Sequence, residues 1–429
     1  MRTSGQRVAG GWSEDTWSIV LGLILILAVW AAYQLKKPLD VFQQAVPVTW
    51  PAHALGQHFA QNGLAYAALW LVLVALTGVA ARALGTPFLP YAAGFTVLFV
   101  LAGMVLVIGS QQTLKTYGLE YPFWALLFGV VIGNVVRLPG WLAAAAGRTE
   151  LFIKTSIVLL GANLPFSIIA RSGPRGFLEA LVIVGLGFTV AFIVGKRLGV
   201  DPLYISILGA GASVCGVSAA IAVGNAVRAP QRKVGYVVSL VVVYGLILVF
   251  LLPALVHLLG LSNTVGGAWI GGSELADASG AAAAAMLGDS AVNTFSLVKL
   301  SRDVLISVIC LILGAVAAAR WNQEARPTPS RWSELWRRFP RFVLAFVIAS
   351  LLATWWQAAY GKAFNTDFTA NLNAVRTWLF TLTFFGVGLN TRFREIREVG
   401  GRAIALFTTV VIVNVIAGLI LAYLLFGSR

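Results

Sequence analysis

Histidine, cysteine and acidic residues are all scarce in this chain. Its 429 residues include three His, two Cys and 16 Asp plus Glu, against 31 Lys plus Arg. Cys215 and Cys310 both stand in apolar segments, so neither a disulfide framework nor a metal site is implied. His53, His58 and His257 are too scattered for a ligand cluster. Charged residues make up only 11% of the chain against 59% hydrophobic, which excludes a soluble globule. No nucleophile–base constellation, phosphate-binding Gly–Lys loop or paired-carboxylate hydrolase site is present, so neither an enzyme nor a cofactor is expected. A net charge of +15 would suggest nucleic acid in a soluble protein. Here no basic segment has the size or aromatic interleaving of a binding domain, and cytoplasmic Lys/Arg loops account for the excess.

What is present is apolar sequence in runs of about 20 residues along the whole length, the mark of a polytopic helical membrane protein in a lipid bilayer. Expected spans are Trp17–Leu35, Leu64–Leu84, Pro90–Gln111, Tyr121–Val136, Leu151–Ile169, Phe177–Val194, Val234–Val256, Phe295–Ala318, Phe342–Ala359, a span ending Trp378–Leu389, and Ala403–Phe426. The polar first 16 residues fit a retained first helix rather than a cleaved signal. Val46–Gln61 reads as an extramembrane loop. Arg320–Arg341 reads as a basic connector whose Trp332 and Trp336 sit at the membrane interface.

Two further segments depart from plain spanning helix. Ser206–Val227 carries Gly209, Gly211, Gly216 and Gly224 with Ser213, Cys215 and Ser218; about 60 residues later Gly271, Ser273 and Ala282 repeat Gly211, Ser213 and Ala222. Val298 and Leu300 then fall on Val238 and Leu240 at the same offset. Paired, Gly-interrupted segments point to a transporter's binding site, because a helix break in hydrocarbon frees backbone groups that cost several kcal/mol each unless they bind something. The alternative is that these small residues merely allow close helix packing. A second echo, at an offset of about 225, places Gly161, Leu164 and Gly176 on Gly386, Leu389 and Gly401, and Ala180, Leu181 and Val190 on Ala405, Leu406 and Val415. If both Gly/Ser segments are re-entrant, most Arg and Lys fall on one face together with the N-terminus, and the echoing elements run in opposite directions. The expected fold is therefore all-α, with about 11 transmembrane helices, two re-entrant or broken helical segments and inverted repeats. Full-length broken helices would use the same residues.

The candidates for binding are Gly211, Ser213, Cys215, Gly216, Ser218, Gly272, Ser273 and Ser279 in the two segments. Glycine before a small polar residue lets a half-helix start inside the membrane and aim N–H groups at an anion. Lys299 and Arg302 lie on one face of an apolar helix, and intramembrane charge defaults to a functional hypothesis. Lys299 is the expected direct contact. Asp303, four residues on, could instead neutralise it. Glu274 and Asp277 either pair with these cations or couple a proton or sodium ion. Asn163 and Asn390 mark the other echo, as helix caps or as lining of the site.

The motifs LLFGVVIGN (Leu126–Asn134), IVLLGANLPF (Ile157–Phe166), LGAGASVCGVSAA (Leu208–Ala220), IGGS (Ile270–Ser273), LVKLSRDV (Leu297–Val304) and GVGLNT (Gly386–Thr391) resemble the sulfate-exporter family of bacterial inner-membrane proteins, YeiH-like. The resemblance covers Tyr121 to the C-terminus. It implies a secondary transporter with inverted repeats that exports sulfate or a related sulfur-containing anion. The chain departs from the family in having Leu275-Ala276 where a His-Glu pair follows the IGS-type motif. Residues 1–115 have no counterpart in the compact members, which suggests a scaffold or homo-oligomerisation element ahead of a core at 116–429.

Taken together, these readings point to a secondary active transporter of a small sulfur-containing anion, with the N-terminus cytoplasmic. The alternatives are a cation/proton antiporter using Asp277 and Glu274, and a channel or non-transporting scaffold.

Overall fold

The computed structural model describes residues 12–34, 40–47, 49–50, 55–116, 120–321, 340–391 and 400–427. The expected interface residues Trp332 and Trp336 lie outside them, as do several of the loop arginines. The helices are α1 (Glu14–Gln34), α2 (Asp40–Gln44), α3 (Leu55–Ala83), α4 (Phe88–Gly109), α5 (Gln112–Thr116), α6 (Tyr121–Val135), α7 (Gly140–Ala146), α8 (Thr149–Asn163), α9 (Phe166–Arg197), α10 (Pro202–Ser213), α11 (Val217–Ala226), α12 (Gln231–Leu258), α13 (Asn263–Ser273), α14 (Asp277–Ala285), α15 (Asp289–Val316), α16 (Arg341–Asn390) and α17 (Gly401–Phe426). Gly361, at φ 81°, divides α16 into two spans.

Among the described residues, eight helices are long and apolar enough to cross a membrane. The remaining expected spans fall on the 15-residue α6 and α8 and the charged 28-residue α15. The protein is an all-α polytopic membrane protein. Several boundaries differ from hydropathy. The expected span Leu151–Ile169 stops at Asn163, because Pro165 cannot continue a helix and disfavours helical backbone before it. Helix α9 starts at Phe166 and absorbs Pro174 near its start, so it is longer than the apolar run Phe177–Val194. The expected loop 46–61 holds the first turns of α3.

The chain divides into two compact units, residues 1–168 with 341–392, and residues 169–340 with 393–429. These units do not follow a 115/116 boundary: the N-terminal helices share a unit with α6, α8 and α16. In that unit most residues of the second span of α16 (Asp367–Asn390) are buried, whereas only about a third of those of α1 are. Helices α8 and α16 run antiparallel, since Thr149 packs on Gly386 and Asn163 bonds Asn373. Gly129 and Gly133 of α6 meet the α16 backbone at Phe385–Leu389 so closely that a Cβ would lie 2.5 Å from a carbonyl oxygen at either.

In the other unit α9 and α17 are antiparallel as well. Arg175 donates to the carbonyl of Leu425, and Gly195 packs against Leu406. The opposed direction of the echoing elements is thus seen inside each unit separately.

Candidate functional site: two opposed re-entrant hairpins

The two Gly/Ser segments are hairpins of half-helices. Asp201 caps α10 by accepting from the Leu203 N–H, and Pro202 sits at the first helical position. Lys233, at the start of α12, pairs with that same Asp201. Ala226, at the end of α11, lies beside Gly314 at the end of α15. The chain therefore enters and leaves this hairpin on one side. The second hairpin repeats the plan at the other end of α12. Ser262 caps α13, and Asn263 donates to the Leu287 carbonyl just past α14 (2.6 Å). Since α12 runs from one mouth to the other, the hairpins enter from opposite sides. They meet tip to tip: a Cβ on Gly216 would lie 2.9 Å from the Leu275 oxygen. Each Gly/Ser segment thus folds back on itself with both ends at one mouth, where a broken span would continue in one direction.

Glycine is needed at the first tip. Gly216 has φ 63° and ψ −114°, a conformation that L side chains rarely adopt, and it begins α11. At the second tip Glu274 and Ala276 are extended and no residue has positive φ, so no glycine is needed there.

Where half-helices end, carbonyls lose their partners. Here cations from α15 and an amide from α17 take them. Lys299 Nζ donates to Val214 O (3.1 Å), Glu274 O (3.3 Å) and Leu275 O (2.8 Å). Arg302 donates from Nε to Ser213 O (3.1 Å) and from Nη1 to Gly271 O (2.7 Å) and Glu274 O (2.9 Å). Asn414 Nδ2 reaches Ala212 O (2.9 Å) and Ser213 Oγ (3.1 Å). Ser273 Oγ and Trp269 Nε1 bond the α17 carbonyls of Asn414 and Val415. Both cations are fully buried, and each ties one hairpin to the other. Positive charge at helix C-termini is also what the helix dipole favours.

This arrangement corrects the expected geometry of several candidates. Gly211, Ser213, Gly272 and Ser273 lie at carbonyl ends, not at N–H ends. Lys299, expected to touch a ligand directly, directs its hydrogen bonds to three carbonyls. The N-termini at the tips are instead those of α11 and α14, neither of which has a side-chain cap. Cys215 and Gly216 form the turn before α11, and Ser218 stands half-buried in its first turn. Asp277 opens α14 and pairs with Lys299 at 3.7 Å. Glu274 accepts a hydrogen bond from Ser279. Asp303 acts on both cations electrostatically.

Asn163 and Asn390 belong to the other unit. Asn390 donates to Ala146 O and Gly386 O, beside the start of α8, whereas Asn163 ends that helix. A 15-residue helix is roughly 22 Å long, so one small anion cannot touch both.

Two polar residues escaped the reading of the sequence, Asn414 and Glu179. Glu179 is a lone carboxyl within the apolar run of α9, and it is fully buried against the second hairpin: a Cβ on Gly272 would lie 2.5 Å from its Oε1. The rule that singled out Lys299 and Arg302 applies to it equally.

Comparison with known proteins places the chain among membrane proteins. The sequence model of the family described as Conserved hypothetical protein 698 matches residues 93–407. The chain belongs to that family. Among its relatives, a UPF0324 membrane protein of Rhodopirellula baltica is 31% identical over 401 residues, covering 92% of this chain and 73% of its own length. Another, of Nitratidesulfovibrio vulgaris, is 31% identical over 371 residues, 83% of this chain and 63% of its own; the chain thus spans less than two thirds of that relative. A third, of Nitrosomonas europaea, is 26% identical over 459 aligned positions, covering 94% of this chain and 93% of its own length. Coverage above nine tenths of this chain means that most of residues 1–115 are aligned in the Rhodopirellula baltica and Nitrosomonas europaea relatives. No solved structure matches the chain.

Proposed function

We propose that this membrane protein is a secondary active transporter and not an enzyme, working by alternating access in a bacterial inner membrane with its N-terminus in the cytoplasm. The observation that carries the reading is the meeting of two oppositely directed re-entrant hairpins at buried Lys299 and Arg302. Half-helix ends at membrane depth are where transporters bind substrate and coupling ion. The substrate in this reading is a small sulfur-containing anion, such as sulfate, sulfite or a sulfonate, the class implied by the resemblance of GAGASVCG and VKLSR. The uncapped N-terminus of α11 and the hydroxyl of Ser218 would donate to it, and Lys299 and Arg302 would supply the positive field from behind the tips. Glu274 or Asp277 would carry the coupling proton or sodium ion. The N-terminal helices would serve as scaffold or homo-oligomer contact.

One observation favours a second reading, a cation/proton antiporter using Asp277 and Glu274. Four buried carboxyls, Glu179, Glu274, Asp277 and Asp303, surround two buried cations. With every group ionised, the neighbourhood is net negative and repels an anion.

Counterflow separates these readings. Proteoliposomes preloaded with sulfate, sulfite, taurine or sulfoacetate should accumulate the labelled external form under the first reading, because accelerated exchange requires a carrier. Exchange of sodium for protons without any anion counterflow would support the second. Uptake that trans substrate leaves unchanged would contradict a carrier altogether.

A further inference from the structure

Glu179 has no assigned role in the anion-transport scheme above, yet its placement is specific. Among the described residues neither of its carboxyl oxygens has a hydrogen-bond partner. Its Oε1 rests on Gly272, next to Gly271, whose carbonyl holds Arg302 Nη1. Arg302 is the charged group that acts on it electrostatically. The second terminal nitrogen of Arg302, Nη2, is likewise buried and without a hydrogen-bond partner. From α17 the neighbouring groups are neutral, Gly418 and Asn414. The other titratable groups around Arg302 are Asp303 and Lys299 on α15, Glu274 and Asp277 on the second hairpin, and Cys215 on the first.

A carboxyl inside a membrane protein either carries a proton or finds a cation. Glu179 faces an arginine that has one donor to spare and three carbonyls to hold. We propose that Glu179 is a proton-binding residue that competes, through Arg302, with the backbone carbonyls at both hairpin tips. With the proton on, Arg302 stays with Ser213, Gly271 and Glu274. When the Glu179 O–H bond breaks and the proton passes to water, the carboxylate accepts from Arg302 Nη2 and draws the guanidinium off the tips. Because one guanidinium bridges both hairpins, a single proton changes both at once. The role in coupling rests on the transport reading; the proton binding does not.

Infrared difference spectroscopy of the reconstituted full chain across a pH titration tests the proton binding without any substrate. The wild type should lose a protonated-carboxyl C=O band on alkalinisation. Glu179→Gln should lack that band, and Glu179→Asp should restore it at a shifted frequency. The same band persisting in Glu179→Gln overturns the proposal. Radiolabelled sulfate exchange tests the coupling: the pH dependence of the wild-type rate should be lost in Glu179→Gln and return in Glu179→Asp. A wild-type pH profile in Glu179→Gln overturns the coupling role. If the wild type exchanges no sulfate, the anion reading fails for that ion, while the infrared arm still decides whether Glu179 binds the proton.

Discussion

The two hairpins share a plan and differ in what their tips expose. Each brings in a capped first half-helix, α10 or α13, and gives its last carbonyls to Lys299 and Arg302. The second half-helices diverge. Helix α11 starts at positive-φ Gly216 with no acid in its first turn, whereas α14 starts with Asp277, held by Lys299, and is flanked by Glu274. The shared half of the plan is structural and closes backbone groups that lipid cannot. The divergent half is where the two differ chemically: α11 has no acidic residue in its first turn, and α14 begins with a carboxylate.

Substitutions that strike the shared part should cost most. Arg302→Ala removes donors to both hairpins and leaves the carbonyls of Ser213 and Gly271 without the cation that holds them. Breaking a buried charged contact by removing one side typically costs about 3–5 kcal/mol, so the protein should lose its monodisperse peak in detergent chromatography. Lys299→Met should follow, at about 1.5–3 kcal/mol for its charged hydrogen bonds, read as a large fall in melting temperature. If either variant melted like wild type, the carbonyl clamp would be wrong.

Substitutions confined to one hairpin sharpen the contrast. Gly216→Ala forces a side chain into left-handed backbone and against Val241 Cγ1, only 2.7 Å away. The backbone strain alone is about 1–2 kcal/mol. Ala276→Gly, at the extended second tip, should change stability by less than about 1 kcal/mol. Equal losses at the two tips would erase the distinction. Ser279→Ala removes the hydrogen bond to Glu274, worth about 1 kcal/mol. It should shift the pH dependence of melting more than the melting temperature at neutral pH.

Much of this was legible in the residues. Long apolar runs placed the spans, Gly and Ser at repeated spacing placed both hairpins, and Asp201-Pro202 and Ser262 are ordinary helix-start signals. Lys299 and Arg302 stood out because charge is costly in lipid. What stayed hidden was direction. Ser213 and Ser273 end their half-helices instead of starting new ones, and a sequence of small residues does not say on which side of a break the N–H groups lie. The roles of Asn414 and Glu179 depend on α17 and α9 packing against hairpins far away in the chain, which no local spacing encodes. Asn163 and Asn390 lie on echoing elements, but antiparallel packing separates them.

Topology is the claim on which the rest stands, and cysteine labelling tests it most directly. In a background with Cys215 and Cys310 replaced by Ser, single cysteines at Arg197, Arg228, Thr264 and Ser290 would be exposed to a membrane-impermeant maleimide in right-side-out and inverted vesicles. All four positions are exposed and flank the two hairpin mouths. The opposed-hairpin account predicts that the cysteines at Arg197 and Arg228 react from one face and those at Thr264 and Ser290 from the other. Reaction at Arg197 and Arg228 from opposite faces would make the first segment a spanning helix and contradict the account.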